Sequence, residues 1–138
     1  MLKEFRHFVK EGLFRLIESW HRGVAPKHFK NKAVQTYDYK TRSTRYQKYK
    51  DRKHLGPLVF SGESRKQLLQ SIRVSGTSKK ASGKMRAPRY FWMNTPGHPK
   101  KSEELVAVTQ DEVRDMAEEL NEEVTKKLNA VKDREIIR

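Results

Sequence analysis

The sequence predicts an α+β fold: an antiparallel sheet with a long hairpin, flanked by amphipathic helices at the N-terminal and C-terminal ends. Three observations predict it. Apolar residues recur at spacings of three and four near both ends of the chain, as helix faces do. Between them, Ser71-Ile72-Arg73-Val74-Ser75 alternates at period two, as a half-buried strand does. At 138 residues the chain has the size of one domain with one core, read here as residues 1–138 in three parts: 1–22, 27–101 and 109–134.

The first helix is expected over residues 3–20, where Leu2, Phe5, Val9, Leu13, Leu16, Ile17 and Trp20 share one face. Gly23 and Pro26 follow as stop signals. A membrane-surface helix would also be basic and amphipathic, but a core-facing helix accounts for the same pattern. Charges run through this stretch, so it does not read as a signal peptide, and no run approaches the roughly 20 apolar residues of a membrane span.

Residues 37–50 interleave four tyrosines with five cations, and a helix would bring Tyr39, Arg42, Tyr46, Tyr49 and Lys50 near one another. Such interleaving suits stacking on bases or cation–π pairing with a partner. It equally suits half-buried tyrosines with snorkelling cations. Leu58-Val59-Phe60 is a short apolar run, and residues 62–69 read as one or two helical turns ending in Leu68 and Leu69. A strand at 71–75, a polar loop over 76–84 and a returning strand over 85–93 form a candidate hairpin across 70–93 with a long flexible tip. Pro88 should mark an edge or bulge. Residues 94–99 are turn-rich.

The final helix is announced by Thr109-Gln110-Asp111-Glu112, which has capping-box spacing. Val113, Met116, Ala117, Leu120, Val124, Leu128 and Val131 follow at three and four. Acids lead and cations trail, as the helix dipole favours. Leu13, Ile17, Met116, Leu120 and Val124 are expected to be largely buried, with both long helices packed on the sheet.

Hydrophobic and charged residues each make up 35% of the chain, and the net charge is +14. Its distribution is uneven. Residues 1–20 carry +1, residues 21–101 carry +18 with 21 basic and 3 acidic residues, and residues 102–138 carry −5. A basic middle can meet a polyanion, or an acidic segment of a neighbouring copy. Surface lysines that serve solubility are the plainer reading, but a stretch this one-sided exceeds what solubility requires.

The chemistry of an enzyme is hard to find. Without cysteine, no disulfide, thiolate zinc site or cysteine nucleophile is possible. The segment from Gly76 to Gly83-Lys84 has six residues between its glycines and Met85 after the lysine, where a phosphate-binding loop needs four and a hydroxyl. His7, His21, His28, His54 and His98 show no metal-ligand spacing. The expectation is a protein without catalytic residues, cofactor or metal.

The run from His28-Phe29 through Tyr39, Arg42, Tyr46 and Lys50 to Pro57-Leu58-Val59-Phe60-Ser61-Gly62 resembles a pattern in small phage virion proteins. There an R-x-x-x-Y-x-x-x-K stretch precedes a "PLV-[FY]-[ST]-G" element and a hairpin. The APRYF segment, the Pro-rich turn and the "vT-x-x-E" helix extend the likeness over about residues 28–130. Together they resemble the tail-completion and head–tail joining proteins of long-tailed bacteriophages. The resemblance implies a structural subunit of a ring, six-fold, located in the virion after assembly in the host cytoplasm. Its partners would be copies of itself, the head's portal–adaptor complex and tail-tube or tail-terminator proteins, with packaged DNA as a further contact and no membrane. The competing reading is a basic RNA-binding protein of ribosomal type, or a DNA-binding protein. In either case the contact residues are expected among Arg42, Arg45, Tyr46, Tyr49, Lys79, Lys80, Lys84, Arg86, Arg89, Tyr90 and Trp92.

Overall fold

The structure is a computed structural model; it describes residues 2–40, 42–59, 62–92 and 100–137, with the side chains of Tyr90 and of residues 135–137 outside the description. The expected turn at 94–99, Phe60 of the apolar run and Met93 of the returning strand therefore lie outside the described residues.

The fold is α+β. The chain runs α1 (Leu2–Ser19), a π-helical turn (Trp20–Val24), a 3-10 turn (Ala25–Phe29), α2 (Ala33–Thr36), α3 (Thr44–Arg52), α4 (Glu63–Gln70), β1 (Ile72–Gly76), β2 (Ala81–Met85), α5 (Arg89–Trp92), α6 (Lys101–Leu105) and α7 (Gln110–Ile137). β1 and β2 form a two-stranded antiparallel sheet. Contacts divide the chain into two compact units: Met1–Ser19 with Arg73–Lys84 and Gln110–Arg138, and Trp20–Ile72 with Met85–Thr109.

In the first unit α1 and α7 pack antiparallel. Glu11 meets Lys127 at 2.5 Å, Arg15 pairs with Glu123, and Ser19 Oγ donates to Glu119 Oε1 at 3.4 Å. Gly12 is the close-approach point: a Cβ there would sit 2.6 Å from Leu120 Cδ1. Val124 and Val131 are buried, as expected for Val124, but Leu13, Ile17, Met116 and Leu120 are only half-buried. Two paired helices cover one line of side chains on each partner and leave the flanks of both stripes open.

The hairpin differs from its sequence reading. Its tip is the four-residue turn at 77–80, closed by Thr77 N–H donating to Lys80 O at 2.7 Å, with Lys79 N–H donating to Thr77 Oγ1 at 3.2 Å. Residues 81–84, expected in the loop, form β2 together with Met85 of the expected strand, and Arg89–Trp92 of that strand is a helical turn. Phe91 N–H donates to Pro88 O at 3.0 Å, so the chain folds back where Pro88 ends any ladder. Gly76 has φ +148, and a Cβ there would sit 2.6 Å from Ala81 Cα, which reserves the position for glycine. Two five-residue strands with mostly exposed side chains are too small a platform for two long helices.

The second unit holds the larger core: Phe29, Ala33, Tyr39, Leu58, Val59, Leu68, Phe91 and Leu105, with Trp20, Tyr37, Leu55 and Met85 packed against it. Polar groups lock it. His21 Nε2 lies 2.6 Å from Leu68 O. Tyr39 donates its hydroxyl to His28 O at 3.1 Å, so it accepts from His28 Nδ1, 2.5 Å away. The His28 ring stacks on Tyr37 at 3.8 Å and 16°.

Candidate functional site

Ser43 begins the construction, because its Oγ accepts from Tyr46 N–H at 3.3 Å and caps α3. The nine-residue helix ends at Arg52, and two residues on His54 takes the left-handed conformation at φ +55. Leu55 N–H then donates to Lys50 O at 2.9 Å in a Schellman arrangement. Between these ends, Tyr46 and Lys50 stand one turn apart on one face. The Lys50 ammonium lies 5.4 Å from the Tyr46 ring centroid, and Tyr46 stacks on Tyr49 at 6.4 Å.

Arg42 precedes the helix but joins this face. Its Nη1 donates to Lys40 O at 2.8 Å, and its guanidinium forks onto Glu104 of α6. Lys50 is 4% exposed, and among the described residues no carboxylate lies within ion-pairing distance of it. Burial, followed by the nearby charges of Arg42 and Lys101, pushes its pKa down to about 8 against the opposing pull of Glu104. Burial likewise raises the Tyr46 hydroxyl, with Arg42 opposing.

Beside this ladder opens a cleft of about 350 Å³. Lys40, Arg42 and Lys50 line it on the cationic side, and Tyr39, Leu55 and Pro57 supply apolar wall. Asp51 also reaches it, with Oδ1 accepting from Gln47 Nε2 at 2.9 Å.

The expected contact residues separate into groups. Arg42 is held by Glu104, and Tyr46 and Tyr49 are half-buried on α3 and stacked on each other. Arg45 is exposed on α3. Lys79, Lys80 and Lys84 are exposed on the hairpin of the first unit, and Arg86 and Arg89 are exposed in the second. Trp92 is 44% exposed and meets Phe91 edge-to-face at 5.2 Å. The Tyr90 side chain lies outside the description.

Sequence reasoning missed Glu104, Lys101 and Lys40. Glu104 carried no local signal, because its partner is 62 residues away. Among the described residues, no group of three or more metal-ligating side chains gathers, and no helix is long and apolar enough to cross a membrane. In comparisons with known proteins, no family model, curated protein or solved structure matches the chain.

Proposed function

We propose that the protein is a structural virion component of the phage neck or tail-completion region. Copies form a ring, six-fold, that joins the portal–adaptor complex of the head to the tail. The observation that supports this most is where the resembling residues lie. His28, Phe29, Tyr39, Lys50, Leu58 and Val59 are all buried in one compact unit, and Arg42 is tied to Glu104 within it. The likeness thus rests on residues that build the unit rather than on a surface stretch that composition alone would produce. In this reading the chain has no catalytic role. Its exposed cations at Arg45, Lys79, Lys80, Lys84, Arg86 and Arg89 face neighbouring subunits.

A nucleic-acid-binding function is the second reading, favoured by the exposed basic hairpin and by Trp92, an aromatic surface open for stacking. The decisive experiment is complementation of a phage lacking its copy of this gene. The neck reading expects filled heads and separate tails without the protein, and joined particles when it is supplied. Intact head–tail joining in its absence overturns that reading.

A further inference from the structure

We infer that the outward face of the β1–β2 hairpin docks on the acidic stripe of α7 in a second copy of the chain. The contact would be the subunit interface of the proposed ring; it rests on that reading only for ring closure.

The hairpin register places its charges. Thr77 N–H donates to Lys80 O, Gly76 therefore meets Ala81, Ser75 meets Ser82, and Arg73 meets Lys84. Burial alternates accordingly: Val74 and Ala81 are half-buried, whereas Arg73, Ser75, Ser82 and Lys84 are exposed. The outward face thus carries two cations directly opposite each other, two small hydroxyls in the middle, and exposed Lys79 and Lys80 at the tip. Like charges in opposite positions destabilise a sheet. An anionic partner removes that cost.

The same compact unit presents a surface of opposite sign. Asp111, Asp115, Glu118 and Glu122 recur at four, three and four residues, so they share one face of α7, opposite the buried Val124 and Val131. All four are exposed. Asp111 pairs with Arg114 at 3.7 Å, but Asp115, Glu118 and Glu122 form no ion pair among the described residues. The helix dipole favours acids in the first turn only, which leaves Glu118 and Glu122 beyond its reach, and like charges at this spacing repel.

The two surfaces match in length as well as sign. The stripe spans about 16 Å at 1.5 Å per residue, and the hairpin from Arg73 to its tip spans about 17 Å. Within one copy they do not pair: no hairpin cation reaches an α7 acid among the described residues. A polynucleotide would satisfy the hairpin but would be repelled by the acids of the same unit, so a second copy is the fitting partner. Because the two surfaces differ, the contact is head-to-tail and closes into a ring when the rotation permits.

The test is sedimentation of the purified full chain at several salt concentrations, with circular dichroism as the folding control. Wild-type protein should self-associate at low salt and dissociate as salt rises. One variant reverses the hairpin (Arg73→Glu, Lys79→Glu, Lys80→Glu and Lys84→Glu), and the other reverses the stripe (Asp115→Lys, Glu118→Lys and Glu122→Lys). Each alone should associate about ten-fold more weakly or worse. Mixed in equal amounts they should associate again, since each reversed surface meets its complement on the other variant. Monomeric wild-type protein at low salt, association indifferent to either reversal, or folded variants that fail to restore it on mixing overturns the inference. So does oligonucleotide binding lost with the hairpin charges while self-association persists. Particle joining is not read in this assay: restored association beside intact joining in a phage lacking the gene would remove the neck reading and leave the contact.

Discussion

Arg42 and Glu104 form a two-point ion pair across 62 residues of chain, with Nη2 to Oε1 at 2.5 Å and Nη1 to Oε2 at 3.2 Å. Their side chains are 14% and 10% exposed. The pair fastens the segment before α3 to α6. Bidentate geometry limits the desolvation cost of burying both charges.

Removing one member strands the other. Arg42→Ala should destabilise the protein by about 3–5 kcal/mol, since Glu104 is left buried and uncompensated. Arg42→Met combined with Glu104→Leu should cost less than either single change. Urea unfolding of the full double-mutant cycle measures both. A double variant as unstable as the sum of its parents would mean the pair has no mutual role.

Lys50 predicts a pH dependence. Its folded pKa of about 8 lies below the ordinary 10.5, so between these values the unfolded chain binds the proton more strongly. Stability should therefore rise as pH increases from about 8 to 10.5, and the cost should stay constant below about 8. Other lysines titrate in the same window, so the useful quantity is the difference from Lys50→Met. At pH 7 the variant should be the more stable of the two, with the gap closing towards pH 10.5. A gap independent of pH would contradict the assignment.

His54 sits in the left-handed conformation at the end of α3, exposed, where a side chain brings only strain. His54→Gly should stabilise by about 1 kcal/mol, seen as a higher urea midpoint with unchanged slope. A loss of stability would show that the imidazole has a role beyond its backbone position.

The legibility of the chain follows from how local each determinant is. α1 and α7 were readable because their apolar spacing persists over many turns, and Thr109 directly precedes α7. α4 was readable from Leu68 and Leu69. β2 was not: Ala81-Ser82-Gly83-Lys84-Met85 has no β-branched residue, and pairing with β1 across the Thr77–Lys80 turn forms it. The aromatic stretch at 90–92 suggested a strand by composition, but Pro88 accepting from Phe91 turns it into helix. Ser43 is a local signal for the start of α3, since its hydroxyl caps the helix. Arg42, Tyr46 and Lys50 could be grouped from spacing alone, but the burial of Lys50 depends on Leu55, Glu104 and the core beneath, which spacing does not encode.

Gly12 governs the α1–α7 contact. A β-branched side chain there would collide with Leu120 Cδ1 and approach Val124 Cγ2, which is 3.7 Å from an ideal Cβ. Gly12→Val should cost about 1–3 kcal/mol by overpacking, and Leu120→Ala in the same chain should recover part of the loss. Thermal unfolding of the two single variants and the double gives the coupling. Additive behaviour would mean that the helices separate at this level in solution.

The hairpin separates the two functional readings. Lys79, Lys80 and Lys84 are exposed on a four-residue turn and its adjoining strand, and none forms an ion pair among the described residues. Replacing all three with serine should leave helical circular dichroism intact and stability within about 0.5 kcal/mol, as surface changes usually do. If the cations dock on a neighbouring subunit, the variant should fail to join filled heads to tails, while oligonucleotide binding is weak in both proteins. If they serve nucleic acid, wild-type protein should bind single strands with a log–log salt slope of about −0.7 per phosphate neutralised. The triple variant should then flatten that slope by about 2 units for three lost contacts. Trp92→Ala should cost a further 1–3 kcal/mol or so through lost stacking. The neck reading expects Trp92→Ala to reduce particle joining instead, because a half-exposed indole packed on Phe91 is a ready anchor for a protein partner. Tight, Trp92-dependent oligonucleotide binding at physiological salt, with normal particle assembly by both variants, would reverse the choice between the readings.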